Sequence, residues 1–193
     1  MIVFTIDDQG LIKQISKALG DYHAKAPTVL KQALNATAKD ARKMLAEKAQ
    51  DVYVVQKSKF NKAMTIKNAS NSRLTAIIKA TGEPLELISF KTNPRVPGTS
   101  KGVTTAKALV ASSMKPLVRN DISAFIAKFK SGHIAVVQRR GRDRLPVKKL
   151  FSSSIPKMVG DEKRVYGIVQ PQIAGLLDKN IHKYINKTIG KAN

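Results

Sequence analysis

Apolar residues recur at helical spacing near both ends of the chain and alternate in its middle. Over 8–23, Leu11, Ile12, Ile15, Leu19 and Tyr22 fall on one face of a 3.6-residue repeat, and Asp7 or Asp8 can cap the first turn. Gly20 and Asp21 weaken the end of that helix. Pro27 suits the first turn of a second helix, where a missing N–H costs little. The stripe Leu30, Leu34, Ala38, Ala41 and Leu45 carries this helix to about Gln50, and its many alanines allow close packing. Ser58 can cap one further turn through Lys62. A last helix is predicted over about 161–188, where Val165, Ile168, Val169, Ile173, Leu176, Leu177, Ile181, Tyr184 and Ile185 make a broad apolar face. Pro171 lies inside that pattern and should kink or restart it.

Between the helices the pattern changes to strands. Runs at 73–80 and 85–90, joined by Thr81-Gly82-Glu83-Pro84, read as one hairpin. A polar loop follows over 92–102, the best candidate for a mobile segment. VTTAKALVA at 103–111 reads as a strand and SSMKPLVRND as another loop. Ala124–Phe129 and Ile134–Val137 read as a second hairpin about Lys130-Ser131-Gly132-His133, with Gly132 free to take positive φ. RRGRDR at 139–144 comes next, broken by Gly141. Leu145-Pro146-Val147 is then extended and at an edge, since proline cannot donate to a ladder. The expected fold is α+β: N-terminal helices, a central mainly antiparallel sheet of about 4–6 strands with long loops, and a C-terminal helix packed on it. One domain is expected over 1–193, with a helical part at 1–63, a basic β-rich part at 64–151 and the C-terminal helix at 152–193.

Charge changes this picture from a fold to a candidate function. The chain carries 35 basic and 13 acidic residues, a formal net charge of +22. Residues 52–160 hold 21 of the basic residues and only 4 of the acidic ones, while the flanks are nearly balanced. A concentrated excess points to a polyanion, or to a ring of subunits facing one. The bland alternative is a solvated surface. Arg139, Arg140, Arg142 and Arg144, with Lys148 and Lys149, set six positive charges against Asp143 alone. Guanidinium groups suit bidentate pairing with phosphate or carboxylate, so these six are the candidate DNA-backbone or partner contact.

Other chemistry has few residues to build on. Cysteine is absent, which excludes disulfides and thiolate sites. His23, His133 and His182 are dispersed, no HExxH spacing occurs, and carboxylates are few, so neither a metal nor a catalytic site is expected. PGTSKG at 97–102 lacks the spacing of a phosphate-binding loop, and no cofactor is expected. With no Trp and 5% aromatic residues, base stacking is poorly provided for, so any DNA contact would be to backbone and insensitive to sequence. No apolar run reaches the ~18 residues of a membrane span, and the start is unlike a secretory signal, so a soluble protein made in the cytoplasm is expected.

The basic stretch carries a resemblance as well. AFI at 124–126, the Lys-x-Gly turn at 130–132, Val136-Val137-Gln138-Arg139, a Gly-containing loop, Arg144-x-Pro146, a basic run and Ile155-Pro156 together resemble the phage minor tail protein Z family. ALNATAKDARKMLAEKA at 33–49 is similar to the family's alanine-rich helix, and KFNKAMTIKNAS at 59–70 to its basic segment before the first strands. The resemblance implies a structural virion protein rather than an enzyme. It implies action at the head-proximal end of the tail, in tail completion, head–tail joining and seating of the genome end. Implied partners are the tail terminator, the connector and further copies in a homo-oligomeric ring, with assembly in the host cytoplasm. The alternative from charge alone is a free, sequence-nonspecific DNA-binding protein.

Overall fold

A computed structural model describes residues 2–3, 8–55, 57–98, 105–110 and 112–190. The expected Asp7 cap, residues 99–102 of the polar loop, and the ends of the 103–111 strand lie outside the described residues.

After the two-residue strand β1 (Ile2–Val3), helix α1 (Asp8–Leu19) buries Ile15 and Leu19. Gly20, at φ +54°, turns the chain into a 3-10 stretch over Gly20–Lys25. Helix α2 (Ala26–Val52) then runs about 40 Å, at 1.5 Å per residue. Its buried positions, among them Leu30, Ala33, Leu34, Thr37, Ala38, Ala41 and Leu45, make it the central helix. The short α3 (Lys57–Ala63) anchors itself by Phe60, which is fully buried.

Next come β2 (Met64–Lys67) and β3 (Ile77–Ala80), which pair with each other in the register Met64↔Ala80, Ile66↔Ile78. Here the expected hairpin of 73–80 with 85–90 is corrected. The second run is β4 (Pro84–Glu86) followed by a 3-10 turn at Leu87–Ser89, and β4 pairs instead with β12 (Phe151–Ser154). The reason lies in the backbone. The Thr81 N–H is taken by the Ala63 carbonyl, which extends the β2 pairing, and Gly82 at φ +150° turns the chain away. Pro84 has no N–H to offer a returning strand. The hairpin connection is instead 68–76, pinched by the Ser70–Arg73 bridge.

The middle of the chain adds β5 (Lys91–Asn93), β6 (Lys107–Leu109), β7 (Met114–Pro116), β8 (Val118–Arg119), β9 (Ile122–Lys128), β10 (Ile134–Arg139) and β11 (Val147–Lys149). β7 and β8 fall where a loop was expected at 112–121. Each is too short to show alternation, and Asn120 and Asp121, both at positive φ, make the tight β8–β9 turn. The β9–β10 hairpin is as expected, with Ala135↔Ala127 and Val137↔Phe125 opposed and Gly132 at φ +83° in its turn.

Among the described residues the pairings are all antiparallel, in four small sheets ordered β1-β3-β2, β11-β10-β9-β8, β12-β4 and β5-β6-β7. Single backbone bonds lace three of them together. Ala106 N–H donates to the Ala124 carbonyl at 2.7 Å, and Ala124 N–H to the Leu117 carbonyl at 2.7 Å. Leu150 N–H donates to the Val136 carbonyl at 2.9 Å, and Leu87 N–H to the Leu150 carbonyl at 3.0 Å. The four-stranded sheet is therefore the hub of the β region, flanked by the other two. The fold is α+β, as expected, with its strands shared among sheets that touch by their edges.

The chain closes with α4 (Ile155–Val159) and α5 (Tyr166–Ile189). The expected helix start at 161 is corrected to 166. Asp161 Oδ1 accepts from the N–H groups of Lys163 and Arg164 and holds 161–165 in a turn ahead of the helix. Pro171 is accommodated inside α5 near its first turn. α5 packs along α2, and their interface contains one polar set: Asn180 Nδ2 donates to Thr37 Oγ1 at 3.1 Å and to Asp40 Oδ2 at 3.3 Å. Among the described residues no helix is long and apolar enough to cross a membrane.

Candidate contact surface

Strand alternation decides where the six basic residues go. Residues directly opposite in an antiparallel pair share a face. Gln138 is opposite Ala124 and Lys148, and this face carries Ala124, Ile126 and Val136 into the main core. Lys148 is accordingly half-buried. Val137 is opposite Phe125 and Lys149, so Phe125, Val137, Arg139 and Lys149 belong to the other face. Val137 is 0% exposed and Ala135 1%, yet neither belongs to the main core cluster. Their cover is local. Arg139 places its guanidinium carbon 5.9 Å from the Phe125 ring centroid, and Lys149 its Nζ 5.8 Å from that of Phe129. These cations lay their aliphatic stems along the sheet and keep their charges at its rim.

Lys149 is also held by a carboxylate that the sequence did not single out. Glu86 Oε1 accepts from Lys149 Nζ at 3.3 Å, and Glu86 Oε2 lies 2.8 Å from His133 Nε2. A carboxylate can only accept, so His133 Nε2 carries the shared proton. Burial pushes the Glu86 pKa up, but the bonds from His133 and Lys149 outweigh it and hold the group below its ordinary value. Glu86 thereby ties β4 to the β9–β10 turn and to β11, and Lys149 serves that tie.

The arginines are arranged differently. Arg140 N–H donates to the Pro146 carbonyl at 3.0 Å and closes the neck of a loop over 140–146. Arg140, Arg142 and Arg144 are exposed on this loop, and Leu145 at its end is 69% exposed. Among the described residues none of the four arginines 139, 140, 142 and 144 forms an ion pair or a side-chain hydrogen bond. The six candidates thus divide into three settings: Lys148 toward the core face, Lys149 clamped by Glu86, and four arginines at one end of the sheet that have no ion-pair partner among the described residues.

Beneath the loop lies a cleft of about 470 Å³. Arg139 and Arg142 line one side, and Thr105, Ser123, Ile122 and Phe125 line the rest. Thr105 Oγ1 donates to Ser123 Oγ at 3.0 Å, fixing the hydroxyl wall. Asp121, from the β8–β9 turn, also lines the cleft without reaching either guanidinium as an ion pair. Arg140 and Arg144 stand outside the cleft. Ser123 and Phe125 were reachable from the sequence, since they share the alternation of β9. Thr105 and Asp121 were not: Thr105 meets β9 through the neighbouring Ala106–Ala124 backbone bond, which no spacing announces, and Asp121 follows a two-residue strand inside the expected loop.

The family model described as prophage minor tail protein Z (GPZ) matches residues 10–191. No curated protein and no solved structure matches.

Proposed function

This chain belongs to the prophage minor tail protein Z family and is a structural protein of the phage tail, and on that premise we propose that it acts at the head-proximal end of the tail, in tail completion and head–tail joining. Copies form a ring beside the tail terminator and the connector, around the path of the DNA. Assembly takes place in the host cytoplasm, and the product resides in the virion. The role is structural, without catalysis, and residues 1–193 work as one domain.

The observation that supports this reading is the pair Arg140 and Arg144, exposed at one end of the four-stranded sheet. Arg140 and Arg144 project from a loop with no acidic partner among the described residues, in a segment where 21 basic residues face 4 acidic ones. DNA moving along a tube needs to be held without being read. Guanidinium–phosphate contacts do this, because they position the backbone and carry no sequence information. The same contacts assist seating of the genome end.

The test is the double change Arg140→Gln with Arg144→Gln. Each phosphate neutralised adds about 0.9 to the slope of log affinity against log salt on duplex DNA, so two contacts account for about 1.8. The variant should lose that part of the slope, equally on unrelated duplexes, and yield fewer infectious particles. A fall in infectivity with the slope unchanged would show that these arginines dock protein instead. No change in either would reduce the loop to solvated surface.

A further inference from the structure

We infer that the cleft beneath the arginine loop receives a carboxylate side chain presented by a segment of a partner protein in the tail. The inference rests on the proposed place of this chain in the assembled tail, and it names the chemistry of one contact there. Arg139 and Arg142 bring guanidinium groups to one cleft, and neither has an anionic partner among the described residues. Arg139 is half-buried and seated on Phe125, so its position is fixed before any ligand arrives. Preorganised guanidinium donors of this kind suit bidentate pairing with a carboxylate. The hydroxyl pair Thr105–Ser123 adds polar groups to the same lining.

Three features favour a protein segment over the other anions. The cleft, at about 470 Å³, is of side-chain or small-ligand size and cannot admit a duplex. Ile122 and Phe125 give it apolar walls that suit the methylenes of a glutamate and its neighbours. Asp121 also lines the cleft and can accept an N–H from a polypeptide main chain.

The experiment blocks the cleft without touching the charge. Gly141 lines the cleft and a Cβ built on it meets nothing within 4 Å, so Gly141→Trp can fold while adding an indole ring at the cleft. Arg139→Gln removes the fixed guanidinium, and Arg139→Lys keeps the charge without the fork. Each variant is supplied as the only copy during phage growth. The amount of chain in purified particles is then measured by mass spectrometry, beside the melting midpoint and the affinity for duplex DNA. The expected result is at least a tenfold loss of incorporation for Gly141→Trp and Arg139→Gln, and a smaller loss for Arg139→Lys. Melting midpoints should stay near the parent's in all three variants, and so should duplex affinity in Gly141→Trp, which keeps every charge. A photoreactive residue at Ile122 should crosslink in the particle to an Asp- or Glu-bearing peptide of another protein. Parental incorporation of both blocking variants would overturn the inference while leaving the tail role intact. So would a crosslink to DNA or to a second copy, or a duplex affinity of Gly141→Trp that falls in step with its incorporation. Absence of the parent chain from particles would sink the tail role and this contact together.

Discussion

Replacing Gly167 by Ala sets helix propensity against close packing, and the two forces call for opposite signs. Gly167 is the second residue of α5. Propensity alone favours Ala there by up to about 1 kcal/mol. The structure opposes this, because a Cβ on Gly167 would collide with the carbonyl group of Glu162. That carbonyl cannot swing aside like a side chain. It accepts the Gly167 N–H at 3.1 Å, in the same turn where Asp161 receives the Tyr53 hydroxyl at 2.8 Å. Forcing extra volume into a packed site costs about 1–3 kcal/mol, and a backbone obstacle belongs in the upper half of that range. The net expectation is a loss of about 2 kcal/mol. For a chain of this size each kcal/mol moves the melting midpoint by about 2–4 °C, so a drop of about 4–8 °C should accompany it. Urea unfolding followed by circular dichroism gives the free energy. Gly175→Ala is the control, since its Cβ meets nothing within 4 Å, and it should stabilise by up to about 1 kcal/mol. If Gly167→Ala is as stable as the parent or more so, while Gly175→Ala behaves as stated, the packing of the 161–167 turn described above is wrong.

Three further outcomes are expected. Asn180→Ala leaves the buried Thr37 hydroxyl without its donor at the α2–α5 interface and should cost about 1–3 kcal/mol in urea unfolding, whereas the exposed Gln172→Ala should cost far less. The Tyr53 hydroxyl bond, together with the Lys163 and Arg164 amides, holds the Asp161 carboxyl below its ordinary value of 3.8 despite partial desolvation. Its contribution is therefore complete above 3.8 and lost as pH falls through the lower folded value, so Asp161→Asn should flatten the acid limb of the stability curve and leave its shape near neutral pH unchanged. A chain ending at Val165 lacks α5, which buries Val169, Ile173, Leu177, Ile181 and Ile185, and should lose cooperative melting; an unchanged transition would mean that 1–193 is not one domain.

The long elements were legible because their signals are local. α1, α2 and the body of α5 each show several apolar residues at helical spacing. The β9–β10 hairpin shows alternation on both sides of a glycine that takes positive φ. The rest was hidden because its pairings are short and distant. β4 finds β12 more than sixty residues later, and no three-residue run announces such a partner. β2 was passed over because its register is set by pairing with β3, across a polar turn. The basic cluster was legible as composition and not as geometry. Alternation alone separates Lys148 from Lys149. The engagement of Lys149 by Glu86, and the cleft that Arg139 shares with Thr105, depend on chain crossings that spacing along the sequence does not encode.

Position in the particle tests the central claim most directly. Intact phage can be labelled with gold-conjugated antibody against this chain and viewed by electron microscopy after the head is gently detached, so that the top of the tail is open to the label. The account predicts gold at the head-proximal end of the tail, at several copies per particle. Label at the distal tip or along the tube, or infectious particles that contain none of this chain, would contradict it.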